Sequence, residues 1–341
     1  MLREESKVGL STVVLVADLV SNDGEDTGAD WRHDLEKSSI GTVAAITQAI
    51  ESLGVSVLHL SSLDALTERA AERFPGDLVL SIFGGERSRN RMALVPAICE
   101  SFEMRFVGPD VYGRVVCQDK EISKTLASQC GMITPWHRIV RRASDLDRLG
   151  GVPFPVVVKP NMEGSSIGIS ERCRAEDAAQ MQEIARELLQ EFNQPVLVEK
   201  FVGGLEACLN VLEGADGTEM QLAEIKVTGQ PRYFEEHLFG AELKAPWVGL
   251  EIVPLDDELA EQDVTAAARL LEAVGHVGYC RIDGKLVDGR FHFLELTPDA
   301  WLDPAGAFAQ GFTRRGWTYP ELLRRVLASE SASRRHPASS G

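Results

Sequence analysis

The most informative part of this chain reads Val156-Val157-Val158-Lys159-Pro160, with Glu163-Gly164-Ser165-Ser166-Ile167-Gly168 shortly after it. A short continuous apolar run is typical of a strand that is buried on both faces. The lysine near its end precedes a loop of small residues, whose backbone N–H groups can hold phosphate oxygens. The sequence lacks the G-x-x-x-x-G-K-[ST] loop, so a phosphate site here would be of another kind. Taken alone, the stretch also fits a surface hairpin with a solvated lysine.

The N-terminal third alternates strand patterns with helix patterns. Apolar runs predict strands at 12–17, 55–60 and 78–82, and apolar residues at helical spacing predict helices at 38–53 and 63–74. This order is typical of an α/β domain with a parallel sheet.

Two loops of this third follow predicted strands, at 21–34 and 83–89. Ligands of open parallel sheets bind at the carboxyl ends of the strands, so both loops are placed to touch a substrate. The first loop either stays solvated or recognises a cationic substrate with its acidic side chains, which include Asp23, Glu25, Asp26, Asp30 and Asp34.

The pattern beyond residue 110 mixes helices with strands linked as hairpins, which predicts α+β layers. We expect helices at 117–130, 175–192, 259–274 and 319–328. We expect strands at 156–159, 169–170, 196–201, 207–212, 222–227, 280–287 and 291–296. Asp288-Gly289 is a hairpin turn signal. The last residues, 329–341, are rich in Ser, Ala and Arg and are predicted to be disordered.

A second candidate binding element is the apolar strand that ends in Glu199-Lys200-Phe201-Val202, with Glu206 just beyond it. Such a strand end can form a hinge whose backbone groups bond the edge of a purine, while Glu206 bonds the ribose hydroxyls. The alternative is a strand that ends in a solvated ion pair.

A third element is Arg281-Ile282-Asp283, followed across a hairpin by a strand that carries Glu295. Alternation along the strands places Arg281 and Asp283 on one face, and Glu295 on a face of the neighbouring strand. Two neighbouring carboxylates repel each other unless a cation lies between them, and a few oxygen ligands suit magnesium that is held partly by phosphates. The alternative is a set of charges on an open sheet face.

A fourth element is the run Gln118-Asp119-Lys120, with Lys124 one turn later near a helix start. A lysine there can reach a phosphate. A solvated helix face is the alternative.

These elements, in this order, resemble the D-alanine–D-alanine ligase branch of the ATP-grasp enzymes, and K-P-x-x-E-G-S-S-x-G is the most specific piece. The similarity extends from about residue 38 to residue 327. The resemblance implies an ATP-grasp fold that combines α/β and α+β parts. A Rossmann-like N-terminal domain (1–110) would precede two α+β domains (111–202 and 203–328) that clamp ATP.

The resemblance also implies a role for each matching residue. Lys120 and Lys159 contact the ATP phosphates. A loop closes over the reaction centre and consists of Glu163, Gly164, Ser165 and Ser166. The adenine pocket is lined by Glu199, Lys200, Phe201 and Val202, and the ribose is bound by Glu206. Asp283, Glu295 and Thr297 hold Mg²⁺ (or Mn²⁺). Arg281, Ser165 and Lys159 are the catalytic candidates, with Arg281 facing the transferred phosphoryl group. The implied reaction joins a carboxylate to an amine through an acyl phosphate and releases ADP and phosphate.

Several positions depart from the family pattern. Thr297 stands where the family has Asn, which makes Asp299 or Asp303 an alternative metal ligand. Glu236-His237 stands where the family has a Lys followed by an aromatic residue, and Lys244 lies further on.

The substrate-contacting segments depart most. Trp301 stands where the family has a Gly, Gly306 stands near the family's Ser position, and residues 21–34 replace the family's Gly-Gly-x-Ser-x-Glu loop. We therefore take Trp301, Gly306 and His237 as candidate substrate contacts. The sequence predicts an amino-acid ligase with substrates other than two D-alanines; the alternatives are a D-alanine–D-alanine ligase and a weakly active ATP-binding regulatory protein.

Composition limits the partners. The net charge of −17 argues against coating nucleic acid or an anionic membrane, because both need a basic surface. No apolar run is long enough to span a membrane, and the first ten residues do not resemble a secretory signal. The six cysteines form no C-x-x-C pair, which favours reduced thiols in a cytoplasmic protein over a disulfide framework or a zinc site. Small carboxylate and amine substrates are the expected partners, and the resemblance also allows a homodimer.

Overall fold

A computed structural model describes residues 10–20, 34–85, 88–245, 248–255 and 259–330 of the chain. Its first sheet has four parallel strands in the order β2-β1-β3-β4. The strands are β1 (Thr12–Val16), β2 (Ser56–Leu60), β3 (Asp77–Ser81) and β4 (Arg105–Phe106), and the helices between them are α1 (Ile40–Glu51), α2 (Leu63–Ala71) and α3 (Leu94–Ser101). The predicted parallel sheet is confirmed. Serines at the predicted helix starts, Ser39 and Ser62, accept backbone N–H groups as N-caps.

The helix predicted at 117–130 is two helices, α4 (Val111–Gln118) and α5 (Lys120–Gln129). Asp119 separates them in an extended conformation and caps α5 by accepting the Ile122 N–H. An Asp side chain competes with a continuing helix for backbone donors, which explains the break. As a consequence Lys120 is the first residue of α5.

The second sheet is antiparallel, in the order β5-β8-β6-β7, with α6 packed on it. Its elements are β5 (His137–Val140), β6 (Val156–Pro160), β7 (Arg174–Ala175), α6 (Ala178–Phe192) and β8 (Val196–Lys200). The strand predicted at 169–170 is wrong. Ser165 and Ser166 have positive φ angles, and the chain turns with the Ile169 N–H bonded to the Ser166 carbonyl. Pairing with β6 resumes only at β7.

The third sheet has five antiparallel strands in the order β11-β10-β9-β12-β13. Its strands are β9 (Leu205–Gly214), β10 (Gly217–Val227), β11 (Leu250–Pro254), β12 (Tyr279–Val287) and β13 (Arg290–Thr297), and the remaining helices are α7 (Glu261–Val274), α8 (Ala307–Thr313) and α9 (Tyr319–Ala328). Asp283 on β12 lies opposite Glu295 on β13, and a bulge follows Asp283.

The hydrophobic cores cross the predicted domain boundaries. Residues of α8 and α9 share one core with the first sheet and α1. Residues of α4 and α5 share another with the third sheet and α7. The three domain ranges therefore stay a prediction.

The predicted disordered tail starts too early. Ser329 is buried and donates to the Val326 carbonyl, and Glu330 forms an ion pair with Arg105. Packing against the end of α9 orders these two residues, whereas 331–341 lie outside the described residues. Within the described part of the chain, no helix combines the length and the apolar character that crossing a membrane requires.

Candidate active site

Three lysines and two glutamates meet where the second and third sheets face each other. Lys159 Nζ on β6 lies 2.9 Å from Glu199 Oε1 on β8, and Lys124 of α5 pairs with the other oxygen of Glu199. Lys120 Nζ lies 3.0 Å from Glu295 Oε2 on β13. We call these five residues the cation cluster. The sequence placed Lys120, Lys159, Glu199 and Glu295 near phosphate, adenine or metal. The structure brings these four side chains together and adds Lys124.

Burial and pairing set the charges of the cation cluster. Burial lowers the pKa of Lys124 to about 8, because the Glu199 carboxylate only partly compensates for lost solvation. Burial also acts to lower the pKa of Lys159, but the carboxylates of Glu199 and Glu295 outweigh this effect, so the pKa of Lys159 is raised. Burial would raise the pKa of Glu295, yet Lys120 and Lys159 lower it to about 2. The cluster is therefore charged at neutral pH, and its excess of one positive charge suits a phosphate ligand.

The loop from Glu163 to Gly168 crosses above the cation cluster. Ser165 and Ser166 adopt left-handed φ angles of 50° and 63°. The Lys120 ammonium donates to the Glu163 carbonyl, and the Ser166 hydroxyl donates to the Phe239 carbonyl at 2.7 Å. The Ala241 N–H also donates to the Ile169 carbonyl. The loop and the segment 233–245 thus close together over the site.

A buried arginine that the sequence analysis missed holds the start of this loop. Arg91 Nη2 lies 2.7 Å from Glu36 Oε2 and 3.0 Å from Glu163 Oε2. Glu36 Oε1 accepts the Gly164 N–H at 2.8 Å. A Cβ at Gly164 would lie 2.5 Å from Glu36 Oε1, so only glycine allows this approach. Arg91 and Glu36 both come from the first third of the chain, where the sequence carries no motif that singles them out.

The proposed metal ligands lie on β12 and β13. The Thr297 hydroxyl donates to Asp283 Oδ2 at 2.9 Å, and the Arg281 guanidinium bonds both Asp283 oxygens at 2.6 and 3.0 Å. Two carboxylates and a hydroxyl are oxygen donors of the kind that Mg²⁺ prefers. Over the described ranges, no three His, Cys, Asp or Glu side chains converge as ligands. Because Arg281 bonds both Asp283 oxygens and Lys120 pairs with Glu295, the set fits an ion that takes most of its ligands from phosphate and water.

The two alternative metal ligands are engaged elsewhere. Asp299 is buried and forms an ion pair with the equally buried Arg114 of α4. Asp303 accepts the Thr42 hydroxyl at 2.6 Å and the Ala305 N–H at 2.8 Å. Both carboxylates thus have partners other than Asp283 and Glu295, and their role as alternative metal ligands stays a prediction.

Lys244 is a further cation of the site. It sits in the segment 233–245, with its Nζ 4.1 Å from the centre of the Phe239 ring. Burial and the neighbouring Arg281 lower its pKa to about 8, while Asp283, Glu206 and Glu295 act in the opposite direction. In the sequence, Lys244 was noted only as a lysine that lies beyond Glu236-His237, where the family has its lysine.

His237 has a different environment. Its ring stacks on Tyr233 with centroids 4.4 Å apart, and Nδ1 lies 3.4 Å from Glu171 Oε1. Glu171 also accepts the Leu238 N–H at 2.8 Å. His237, which the sequence predicted to contact the substrate, is thus held between Tyr233 and Glu171. Its role as a substrate contact stays a prediction.

The predicted adenine hinge lies at the end of β8. Lys200 Nζ donates to the Phe154 carbonyl at 2.9 Å, and the Phe201 ring lies under the Arg174 guanidinium at 4.4 Å. Glu206, the predicted ribose ligand on β9, lies 2.8 Å from Lys285 Nζ. Val202 follows Phe201 outside any strand.

Trp301 and Gly306, the two predicted acceptor contacts, depend on each other. Trp301 is about half exposed (49%). A Cβ at Gly306 would lie 2.9 Å from the Trp301 carbonyl oxygen and 3.2 Å from its ring. A residue larger than glycine therefore requires the segment after β13 to shift. The two departures from the family pattern form one packed unit.

Only one residue of the acidic loop 21–34, Asp34, belongs to the described part of the chain. Its residues 21–33 lie outside the described residues, and Asp34 pairs with Lys37 at 2.8 Å. In the loop after β3, the Gly84 and Gly85 N–H groups donate to the Asp18 carboxylate at 2.9 Å each. Residues 86–87 of that loop are likewise not described.

Comparison with known proteins agrees with this geometry. Residues 135–328 match the family model described as D-ala D-ala ligase C-terminus, which is more than half of the chain. This match makes the chain an ATP-grasp enzyme, an ATP-dependent C–N ligase, and the cation cluster beside the carboxylate pair of the β12–β13 hairpin is consistent with that class. Within that class, the chain belongs to the D-alanine–D-alanine ligase family.

Individual relatives are distant but cover most of the chain. The D-alanine–D-alanine ligase of Syntrophotalea carbinolica is 27% identical, over 86% of this chain and 91% of its own length. That of Gloeobacter violaceus is 26% identical, over 83% and 91%.

Solved structures share the fold. The Bacillus anthracis D-alanine–D-alanine ligase complexed with ATP superposes with a TM-score of 0.67 at 20% identity, covering 94% of this chain and 97% of that one. The VanG D-Ala:D-Ser ligase of Enterococcus faecalis superposes with a TM-score of 0.70 at 16% identity, covering 94% and 99%.

Proposed function

We propose that the chain joins a carboxylic acid to an amine through an acyl phosphate, and that its substrates are not two D-alanines. One contrast carries the proposal. The cation cluster keeps the motif residues of the family, whereas Trp301 and Gly306 rebuild the segment where the family pattern has Gly and Ser. The ligase chemistry is thereby retained and the recognition of at least one substrate is altered.

The chemistry follows from the charges. A carboxylate is a poor electrophile, and transfer of the γ-phosphoryl group of ATP gives it a good leaving group. Lys120 and Lys159 bind the phosphates, and Lys244 adds a cation on the side of the closing segment. Arg281 faces the transferred group and the oxyanion that forms when the amine attacks. Asp283, Glu295 and Thr297 would hold Mg²⁺ or Mn²⁺, which neutralises phosphate charge when bound.

The closing loop has a second task. An acyl phosphate hydrolyses when water reaches it, so the site must exclude water during the reaction. Ser165 lies in the loop whose neighbour Ser166 is bonded to Phe239. We assign Ser165 to the inner side of this cover, next to the reacting groups.

The nucleotide base and sugar are assigned to the hinge. Backbone groups of Glu199 to Val202 would bond the adenine edge, and Glu206 the ribose hydroxyls. The Glu206 carboxylate already forms an ion pair with the Lys285 ammonium at 2.8 Å. This pair keeps the carboxylate in place to accept hydrogen bonds from the ribose hydroxyls.

The experiment is a screen of amino-acid pairs and related amines for ADP release, with mass spectrometry of the products. We expect substrate-dependent ADP release with an amide product from a pair other than D-alanine with D-alanine. ADP release with D-alanine alone as the best substrate would contradict the altered specificity. Tight ATP binding without release under any pair would contradict the ligase function.

The curated relatives favour one second candidate, because both carry the name D-alanine–D-alanine ligase. The same screen separates the two. A structural neighbour named as a D-Ala:D-Ser ligase is compatible with a changed second substrate on this fold. A cytoplasmic location and a homodimer remain predictions.

A further inference from the structure

A basic cavity lies on the outer side of the second sheet, apart from the cation cluster. It has a volume of about 410 Å³ and is lined by nine residues, among them Arg141, Arg142, Arg186, Gln194 and Pro195. Three of these nine residues are arginines and none of the nine is acidic. In a chain of net charge −17, such a concentration of positive charge runs against the overall composition.

The charges around the cavity are only partly compensated. Arg141 pairs with Glu121 at 2.5 Å and Arg142 with Asp145 at 3.2 Å, both in exposed geometry. Arg186 donates to the Gln182 amide oxygen at 2.9 Å, and among the described residues it pairs with no carboxylate. Exposed ion pairs contribute little, so the guanidinium groups can turn to a stronger ligand. The C-terminal end of α6 repels anions weakly, and the full charge of Arg186, which no carboxylate among the described residues pairs, outweighs that partial charge.

The floor of this cavity is connected to the active site by hydrogen bonds. Gln194 accepts the Met162 N–H at 2.7 Å and donates to Glu163 Oε1 at 2.6 Å. The Pro195 carbonyl accepts the Asn161 N–H at 3.0 Å. Gln194 and Pro195 thus hold the residues from which the closing loop starts.

A second route leads to the phosphate-binding lysine at the start of α5. The Asn161 carbonyl accepts the Lys120 N–H at 3.2 Å, and its side chain accepts the Glu121 N–H at 3.0 Å. Glu121 is also the partner of Arg141 in the cavity wall. A ligand that drew Arg141 away from Glu121 would act one residue from Lys120.

We propose that this cavity binds a small molecule bearing two or more phosphate or carboxylate groups, and that its occupancy alters nucleotide binding. Guanidinium groups bond both kinds of oxyanion through paired N–H donors. Linkage requires the effect to be mutual, so bound nucleotide changes the affinity for the anion by the same factor.

The test uses inorganic pyrophosphate and citrate as separate probes. Each is titrated calorimetrically into the full-length wild type, the Arg142→Gln/Arg186→Gln variant and the charge-matched control Arg172→Gln/Arg324→Gln, all without divalent metal. Binding to the cation cluster is common to all three proteins. We expect an additional binding event in the wild type and the control, and its affinity should be at least tenfold weaker in the Arg142→Gln/Arg186→Gln variant. Identical isotherms in all three proteins with both probes would overturn the site.

The two probes also identify the ligand chemistry. An event with pyrophosphate alone assigns the site to phosphates, and one with citrate alone assigns it to carboxylates. Coupling is measured as the affinity for ADP with and without the probe. We expect a change of about fivefold in the wild type that the Arg142→Gln/Arg186→Gln variant lacks. An equal change in both proteins would mean competition at the phosphate site and would overturn the coupling.

Discussion

The cation cluster and the segment after β13, which we propose to contact the acceptor, are built in opposite ways. In the cluster, each charge is satisfied by a neighbour of opposite sign, as when Glu199 serves both Lys124 and Lys159. In the segment after β13, packing determines the structure, because Trp301 lies so close to Gly306 that a side chain at position 306 would clash with it.

This difference separates what the chemistry needs from what selects the substrate. Phosphate recognition requires charges at fixed positions, which leaves little freedom to exchange a residue. An acceptor pocket can change by packing alone, provided that the segment stays anchored. Here the anchor is the buried ion pair of Arg114 with Asp299, two residues before Trp301.

The largest expected effect comes from breaking that anchor. Asp299→Ala leaves the buried Arg114 without its counterion, and we expect a loss of about 3–5 kcal/mol in the free energy of unfolding. The measurement is chemical denaturation. The double variant Arg114→Met/Asp299→Leu removes both charges and is the control, expected to be close to the wild type. If the single variant is as stable as the wild type, the pair is not an anchor.

Removing a charge from the cluster tests the other side of the comparison. Lys159→Ala is expected to lower kcat/KM for ATP by about 10²–10³-fold, because a phosphate-facing cation is lost from a buried site. The folded state should persist, since Lys124 still pairs with Glu199. Arg172→Ala removes one positive charge from an exposed position and is the control. Wild-type turnover in Lys159→Ala would contradict the phosphate assignment.

Changing shape without changing charge should move specificity instead. Trp301→Gly is expected to alter the preference among acceptor amines by about tenfold, with a much smaller effect on the KM for ATP. The ratio of kcat/KM values for two acceptors of different size is the measurement. Gly306→Ala serves as the companion variant, since its methyl group meets the Trp301 carbonyl, and it should lower the melting temperature. An unchanged acceptor ratio in Trp301→Gly would remove Trp301 from the acceptor site.

The smallest effect lies on the surface of α9, away from both regions. Glu321 is held by Arg324 and Arg325, and the hydrogen bond from Arg324 lowers its pKa from 4.5 to about 2. A depressed pKa adds stability above pH 4.5 that disappears as the pH falls towards 2. The melting temperature of Glu321→Gln should therefore lie slightly below that of the wild type at pH 6, with the gap narrowing in acid. A gap that widens in acid would contradict this sign.

Sequence patterns predicted the parts of the site that are local along the chain. The apolar run before Lys159 became β6, and alternation across one hairpin placed Asp283 opposite Glu295. The break at Asp119 was missed even though Asp is a good N-cap residue, because the helical pattern on both sides appeared continuous.

Contacts between distant segments were out of reach of such patterns. Arg91 and Glu36 acquire their role only when the first sheet packs beside the closing loop. Lys244 lies in a segment of short irregular turns, where no periodicity fixes the direction of a side chain. Asp299 belonged to the right segment, but its partner on α4 is 185 residues away.

The bond between Ser166 and the Phe239 carbonyl has a kinetic consequence. It joins the loop 163–168 and the segment 233–245, which are connected to different sheets, so opening either one alone would break this bond. We therefore expect the two segments to open together, so that one opening step precedes both substrate binding and product release.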